Sequence, residues 1–185
     1  MWVELLSLSI ALVAILSIFV PTVLTGSSPV PTSRAVRSDL IQLLPERLPE
    51  RSRAQVIYEL GSGWGGMAFA LAKKYPEHSV IGYEISILPW LISQLRQLMS
   101  DQQNLQFRLA NFNNHPLSDA ALIMCYLLPV PMERLRHKLS EELTTGTLVV
   151  SNTFAFRGWS SLDDRIADDI YKSHVYLYEI GSTSE

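Results

Sequence analysis

The chain has 185 residues, 48% hydrophobic and 18% charged, with a mean hydropathy of +0.15, which allows one ordinary domain plus a short appendage. A net charge of -3 offers no electrostatic ground for a nucleic-acid partner, and the lone cysteine excludes an internal disulfide or a cysteine-based zinc cluster. Cys125 itself reads as a buried apolar residue within a strand.

From Met1 to Leu24, 18 of 24 residues are hydrophobic, and Glu4 is the one charged residue of the first 30. At a rise of about 1.5 Å per residue such a helix spans the ~30 Å hydrocarbon core of a bilayer. A cleaved signal peptide normally carries Lys or Arg ahead of a shorter apolar stretch; here the first basic residue is Arg34, so an uncleaved anchor over residues 1–25 is expected. Arg34, Arg37, Arg47, Arg51 and Arg53 follow it, and the positive-inside bias then predicts a single pass with the body on the cytoplasmic side. The stretch TGSSPVPTS reads as a tether, which together with a lead-in helix occupies residues 26–53.

Ala35 to Leu44 has apolar residues at helical spacing and stops before Pro45. Residues 54–185 then alternate strands and helices. Gln55–Leu60 reads as a strand, followed by the turn GSGWGG and a helix over Met67–Tyr75. Strands are expected at Ser79–Ile85, Leu105–Ala110, Ala121–Leu127 and Thr147–Phe154, with helices over Leu88–Met99 and Met132–Leu143. The tail has no further helix, and Arg165–Tyr171 with His174–Ile180 predicts an antiparallel hairpin. The expected fold is therefore α/β: a Rossmann-like, doubly wound, mostly parallel sheet with a C-terminal antiparallel hairpin, preceded by one transmembrane helix.

Glycines after a first strand let a ligand approach the backbone, and the next helix offers unpaired N–H groups. Gly61, Gly63 and Gly66 satisfy the G-x-G-x-x-G of dinucleotide enzymes; Glu59, Gly61, Gly63 and Gly65 equally satisfy the acid-x-G-x-G-x-G of S-adenosylmethionine methyltransferases. Glu59 favours the second, because a carboxylate there repels a pyrophosphate but pairs with the ammonium of a methionine moiety. Glu84, at the next strand end, suits the ribose hydroxyls of either ligand. Trp64 is either a cofactor contact or an exposed loop aromatic. His78, His115 and His137 read as solvent-exposed, and Arg134, Arg136, Lys138, Glu141 and Glu142 as a solvated helix face. No nucleophile triad and no metal-ligand spacing is visible.

Beyond the glycine loop, Val30-Pro31-Thr32-Ser33, Tyr58-Glu59-Leu60-Gly61-Ser62-Gly63, Gly82-Tyr83-Glu84 with Pro89-Trp90-Leu91, Tyr126-Leu127-Leu128-Pro129, Phe154-Ala155-Phe156 with Trp159, and Val175-Tyr176-Leu177-Tyr178 follow in order. In these motifs the chain resembles the membrane-anchored class I methyltransferases related to the ATP synthase c-subunit lysine N-methyltransferase. The resemblance implies S-adenosylmethionine as cofactor, held by Thr32, Glu59, Gly61, Ser62, Gly63, Trp64, Gly65, Glu84, Asn111 and Phe112. It also implies an acceptor channel at Tyr126 and Pro129. Phe154, Phe156 and Trp159 would form its other wall, since cations are attracted to aromatic faces. A protein lysine near the membrane is the expected acceptor; a membrane quinone or lipid, or a catalytically degenerate nucleoside-binding scaffold, are the alternatives. The chain departs from the family's usual pattern in having Trp64 and Gly66, where an acidic and a basic residue flank Gly65, and Asn111 where an aspartate follows the third strand.

Overall fold

The computed structural model describes residues 2–25, 31–49 and 56–181. Helix α1 runs over Trp2–Thr25, with most of its apolar side chains exposed, and α2 over Arg34–Leu43. Ser33 caps α2 by accepting a hydrogen bond from the Val36 N–H at 3.2 Å, satisfying a donor the first turn leaves unpaired. Gln55, Arg51, Arg53, Val30 and most of the expected tether lie outside the described residues.

The body alternates as expected. Strand β1 (Val56–Leu60) leads to α3 (Gly66–Lys74), β2 (Ser79–Glu84) to α4 (Ile87–Leu98), and β3 (Leu105–Leu109) to a 3-10 turn at Phe112–Asn114. Next come β4 (Ala120–Cys125), α5 (Pro129–Glu142), β5 (Leu148–Asn152), β6 (Asp163–Ile166) and β7 (His174–Glu179). They form one sheet in the order β3-β2-β1-β4-β5-β7-β6. The first five strands are mutually parallel, and β7 runs antiparallel between β5 and β6.

Side chains alternate across the pleat and divide the interior into two cores. Ile57, Val80, Phe107, Leu122 and Val150 face α2 and α3, where Val36, Leu40, Met67 and Leu71 meet them. Tyr58, Ile81, Ile123, Cys125 and Val149 face α5 through Met132, Leu135 and Leu139. Strand β4 is buried along its whole length, as a strand covered on both faces must be. Cys125 is fully buried there, its thiol pushed up to about 12 by burial.

The tail differs from expectation in register. The edge strand is Asp163–Ile166, not Arg165–Tyr171, because Asp169 accepts both the Ser173 N–H (2.8 Å) and the Ser173 hydroxyl (2.9 Å), committing that segment to a turn. Helix α5 begins at Pro129 and not at Met132, since proline suits the first helical position, where no N–H is needed.

Candidate functional site

The order of the sheet reverses between β1 and β4: connections from the two strands leave toward opposite sides and open a crevice beyond their carboxyl ends. A cavity of about 390 Å³ lies there. Thr32, Glu59, Gly61, Ser62, Gly63, Trp64, Glu84, Asn111, Phe112 and Tyr126 line it.

The glycine loop is fastened at several points. Gly61 and Ser62 N–H groups both donate to the Tyr83 carbonyl (2.9 and 2.8 Å), which draws the loop over the end of β2. Gly61, Gly63 and Gly65 all take positive φ, so the turn is built from conformations glycine adopts without strain. The Ser93 hydroxyl donates to the Gly63 carbonyl at 3.0 Å, and an Arg96 guanidinium N–H donates to the Trp64 carbonyl.

Glu84 joins this loop to the next. Its Oε2 accepts the Gly63 N–H (2.7 Å), and its Oε1 accepts the Ile85 and Ser86 N–H groups (2.9 and 2.7 Å). A carboxylate oxygen takes two hydrogen bonds, so Oε2 keeps acceptor capacity for a hydroxyl. Glu59 is also buried, at 8% exposed, and its Oε2 has no hydrogen-bond partner. Burial pushes its carboxyl up to about 8 and the Glu84 charge adds to this, while the Ala68 N–H and the Arg37 charge oppose it. A buried carboxyl with an idle oxygen facing a cavity is a receptor for a cationic donor.

Opposite, Phe112 and Asn111 contribute from the turn after β3; the Asn111 side-chain oxygen caps that turn by accepting the Asn113 N–H at 3.0 Å. Met67, Met124, Leu127 and Pro131 supply apolar wall. Acidic acceptors for an ammonium and a hydroxyl, glycine backbone at the middle and Phe112 beside Asn111 fit the methionine, ribose and adenine parts of S-adenosylmethionine.

Some expected residues stand elsewhere. Gly65 is set back from the cavity: a Cβ on it would lie 2.6 Å from Phe107 Cζ, so its lack of a side chain serves packing. Pro129, exposed at the start of α5, does not line the cavity, whereas Pro131 does. Phe156 packs on Trp159 (ring centroids 4.7 Å) and Tyr178 (5.5 Å), and the Tyr178 hydroxyl accepts the Phe156 N–H at 3.1 Å. This aromatic cluster, with Phe154 against it, belongs to the α5-side core and not to the cavity wall. His115, expected in solvent, stacks on Tyr83 at 5.1 Å.

Three arginines, Arg37, Arg96 and Arg134, line the cavity without being singled out for it by the sequence pattern. Arg134 lies in the charged helix expected to face solvent, and Arg37 counts in the sequence only toward the basic flank of the anchor. Arg37 does carry a legible hint, since it shares a helical stripe with the apolar Leu40, Ile41 and Leu44.

Residues 59–163 match the family described as the ANTKMT methyltransferase domain. A protein-lysine N-methyltransferase of Saccharolobus islandicus is 31% identical over 137 residues, covering 70% of this chain and 82% of the relative. A lysine N-methyltransferase of Xenopus laevis, named for the ATP synthase c-subunit, is 26% identical over 138 residues, covering 71% of this chain and 57% of that protein. An RNA methyltransferase from Salinibacter ruber, crystallised with S-adenosyl-L-homocysteine, superimposes with a TM-score of 0.68 at 25% identity over 84% of this chain and 97% of that one. The reversal point of the sheet, the acid-and-glycine cavity and these likenesses agree: the chain is an S-adenosylmethionine-dependent methyltransferase and belongs to the ANTKMT methyltransferase domain family.

Proposed function

We propose that this enzyme is anchored in a membrane through residues 1–25, connected by residues 26–53 to a catalytic domain of residues 54–185, and methylates a protein lysine close to the bilayer. The acceptor class is supported by the names of the Saccharolobus islandicus and Xenopus laevis relatives. The anchor is supported by α1, whose Trp2–Val23 segment is long and apolar enough to cross a bilayer and is unburied. Helix α4, which α1 touches, adds an outward row of exposed Ile87, Leu91, Leu95 and Leu98. Arg34, the first residue of α2, and Arg47, beyond its end, favour a cytoplasmic catalytic domain.

The observation that carries the active-site reading is the pair of buried acids, Glu59 and Glu84, on one cavity. Glu59 holds the methionine ammonium, and Glu84 accepts a ribose hydroxyl while keeping the glycine loop in place. Gly61, Ser62, Gly63 and Trp64 form the floor, with Thr32 above it; Phe112 and Asn111 flank the adenine, and Gly65 fixes the loop from behind. S-adenosylmethionine supplies a methyl group whose bond to sulfur breaks as its bond to the acceptor nitrogen forms, leaving S-adenosylhomocysteine. The remaining work is alignment and exclusion of water. Lysine, with a pKa of about 10.4 in water, attacks only as the neutral amine. Apolar Met124, Leu127 and Pro131 disfavour its charged form, and half-buried Tyr126 presents a hydroxyl to orient it. Pro129 sets the course of α5 beside that channel.

Incubating the full chain with methyl-labelled cofactor and membranes, then separating protein from lipid, tests this. Label in protein lysine, lost in Glu84→Ala, is expected; label confined to the lipid fraction would instead identify a membrane small molecule as acceptor.

A further inference from the structure

The space over Gly66, the first residue of α3, is filled from another element. A Cβ built on Gly66 would lie 3.1 Å from Nη2 and 3.2 Å from Cζ of Arg37. The guanidinium of α2 therefore rests against the start of α3, inside the cavity, where a side chain at position 66 would otherwise stand. Its placement is not incidental. Val36 and Leu40 are buried on either side of it in the chain, Ser33 caps the helix, and Arg37 Nη2 donates to the Thr32 carbonyl at 3.2 Å.

Among the described residues, three polar atoms on this cavity are buried without hydrogen-bond partners, Ser62 Oγ, Arg37 Nε and Glu59 Oε2, and the last two are complementary. Arg37 Nε lacks an acceptor; Glu59 Oε2 lacks a donor. Leaving either so is costly unless a ligand completes it. An α-amino acid carries on one carbon the ammonium that Glu59 needs and the carboxylate that Arg37 needs. The N-terminus of α3, bearing partial positive charge, adds to the attraction for that carboxylate.

We propose that Arg37 binds the α-carboxylate of the cofactor's methionine moiety, delivering positive charge from α2 to the start of α3. Gly66 is then the permissive half of the arrangement: the absence of a side chain there makes room for an arginine that comes from 29 residues earlier in the sequence (66 minus 37). The inference rests on the assignment of this cavity as the cofactor site, and the test separates the two.

Calorimetry on the full chain in detergent compares S-adenosylhomocysteine with 5′-methylthioadenosine, which has the same nucleoside and no amino-acid group. Arg37→Gln should weaken S-adenosylhomocysteine by about ten- to a hundredfold, the scale of a lost charge-assisted hydrogen bond, and leave 5′-methylthioadenosine within about twofold. Arg37→Lys should keep most of the affinity, and adding Gly66→Arg to Arg37→Ala should recover about tenfold, since a charge returns to the same place. Equal weakening of both ligands, or unchanged S-adenosylhomocysteine binding by Arg37→Gln, overturns the assignment and leaves Arg37 a packing residue. Glu84→Ala should weaken both ligands alike; if it weakens neither, the cofactor site itself is misassigned and the inference falls with it. Matching thermal midpoints among the variants keep a folding defect from imitating either result.

Discussion

Burial holds the Glu59 carboxyl above the usual carboxylate range, at about 8, outweighing the Ala68 N–H and the Arg37 charge that favour its ionised form. In the unfolded chain it ionises near 4.5, in the fold near 8, so between those values the native state binds more protons than the unfolded one. Stability from this group is accordingly greatest below about 4.5, falls as pH rises to about 8 and is level beyond. Urea denaturation across that window should show the fall, and Glu59→Gln should flatten it. Binding should run the coupling in reverse: a methionine ammonium favours the carboxylate, so cofactor uptake at pH 7 should release close to one proton, about the fraction bound at that pH. Calorimetry in two buffers of different ionisation enthalpy measures this, with Glu59→Gln releasing none. Glu59 and Glu84 were legible in the sequence because an acid at a strand end beside glycines is a local pattern. Arg96 and Arg134 were not, because a cation's side of a helix acquires meaning only once the helix is docked.

Among the elements, the joint between the glycine loop and α3 is the tightest. Gly65, at φ 77°, is the N-cap of α3, and an added Cβ would meet Phe107, itself 2% exposed and unable to withdraw. Gly65→Ala combines left-handed strain with overpacking and should cost about 2–4 kcal/mol, measured by urea denaturation. Element order, type and approximate extent followed from period: runs of β-branched and apolar residues against helical spacing. Boundaries moved for local reasons: at Asp169 a hydrogen-bonded turn cut short the expected strand, and at Pro129 a residue suited to the first helical position started the helix three residues before its apolar stripe at Met132. Phe156 and Trp159 illustrate a different limit. Their composition suited a cation-binding wall, but whether they face a cavity depends on where β7 inserts, and beside Tyr178 they close a core instead.

At the level of the whole molecule, apolar surface is concentrated on α1 and the outer row of α4, two elements in contact. A span of 22 residues measures about 33 Å along a helix, enough for the ~30 Å hydrocarbon core. The full chain should therefore stay with phospholipid vesicles through an alkaline carbonate wash, whereas residues 31–185 should be released; equal release of both would remove the anchor. The sequence by itself determined the layers of this protein, the glycine turn and the acids at the ends of β1 and β2, because each is written within a few consecutive residues as periodicity, backbone freedom or charge. Only the tertiary structure decided which cations enter the cavity, that Gly65 serves packing, and that Arg37 fills the space over Gly66. Those depend on how separate elements dock on the sheet, and docking is settled by the fit of buried surfaces far apart in the chain.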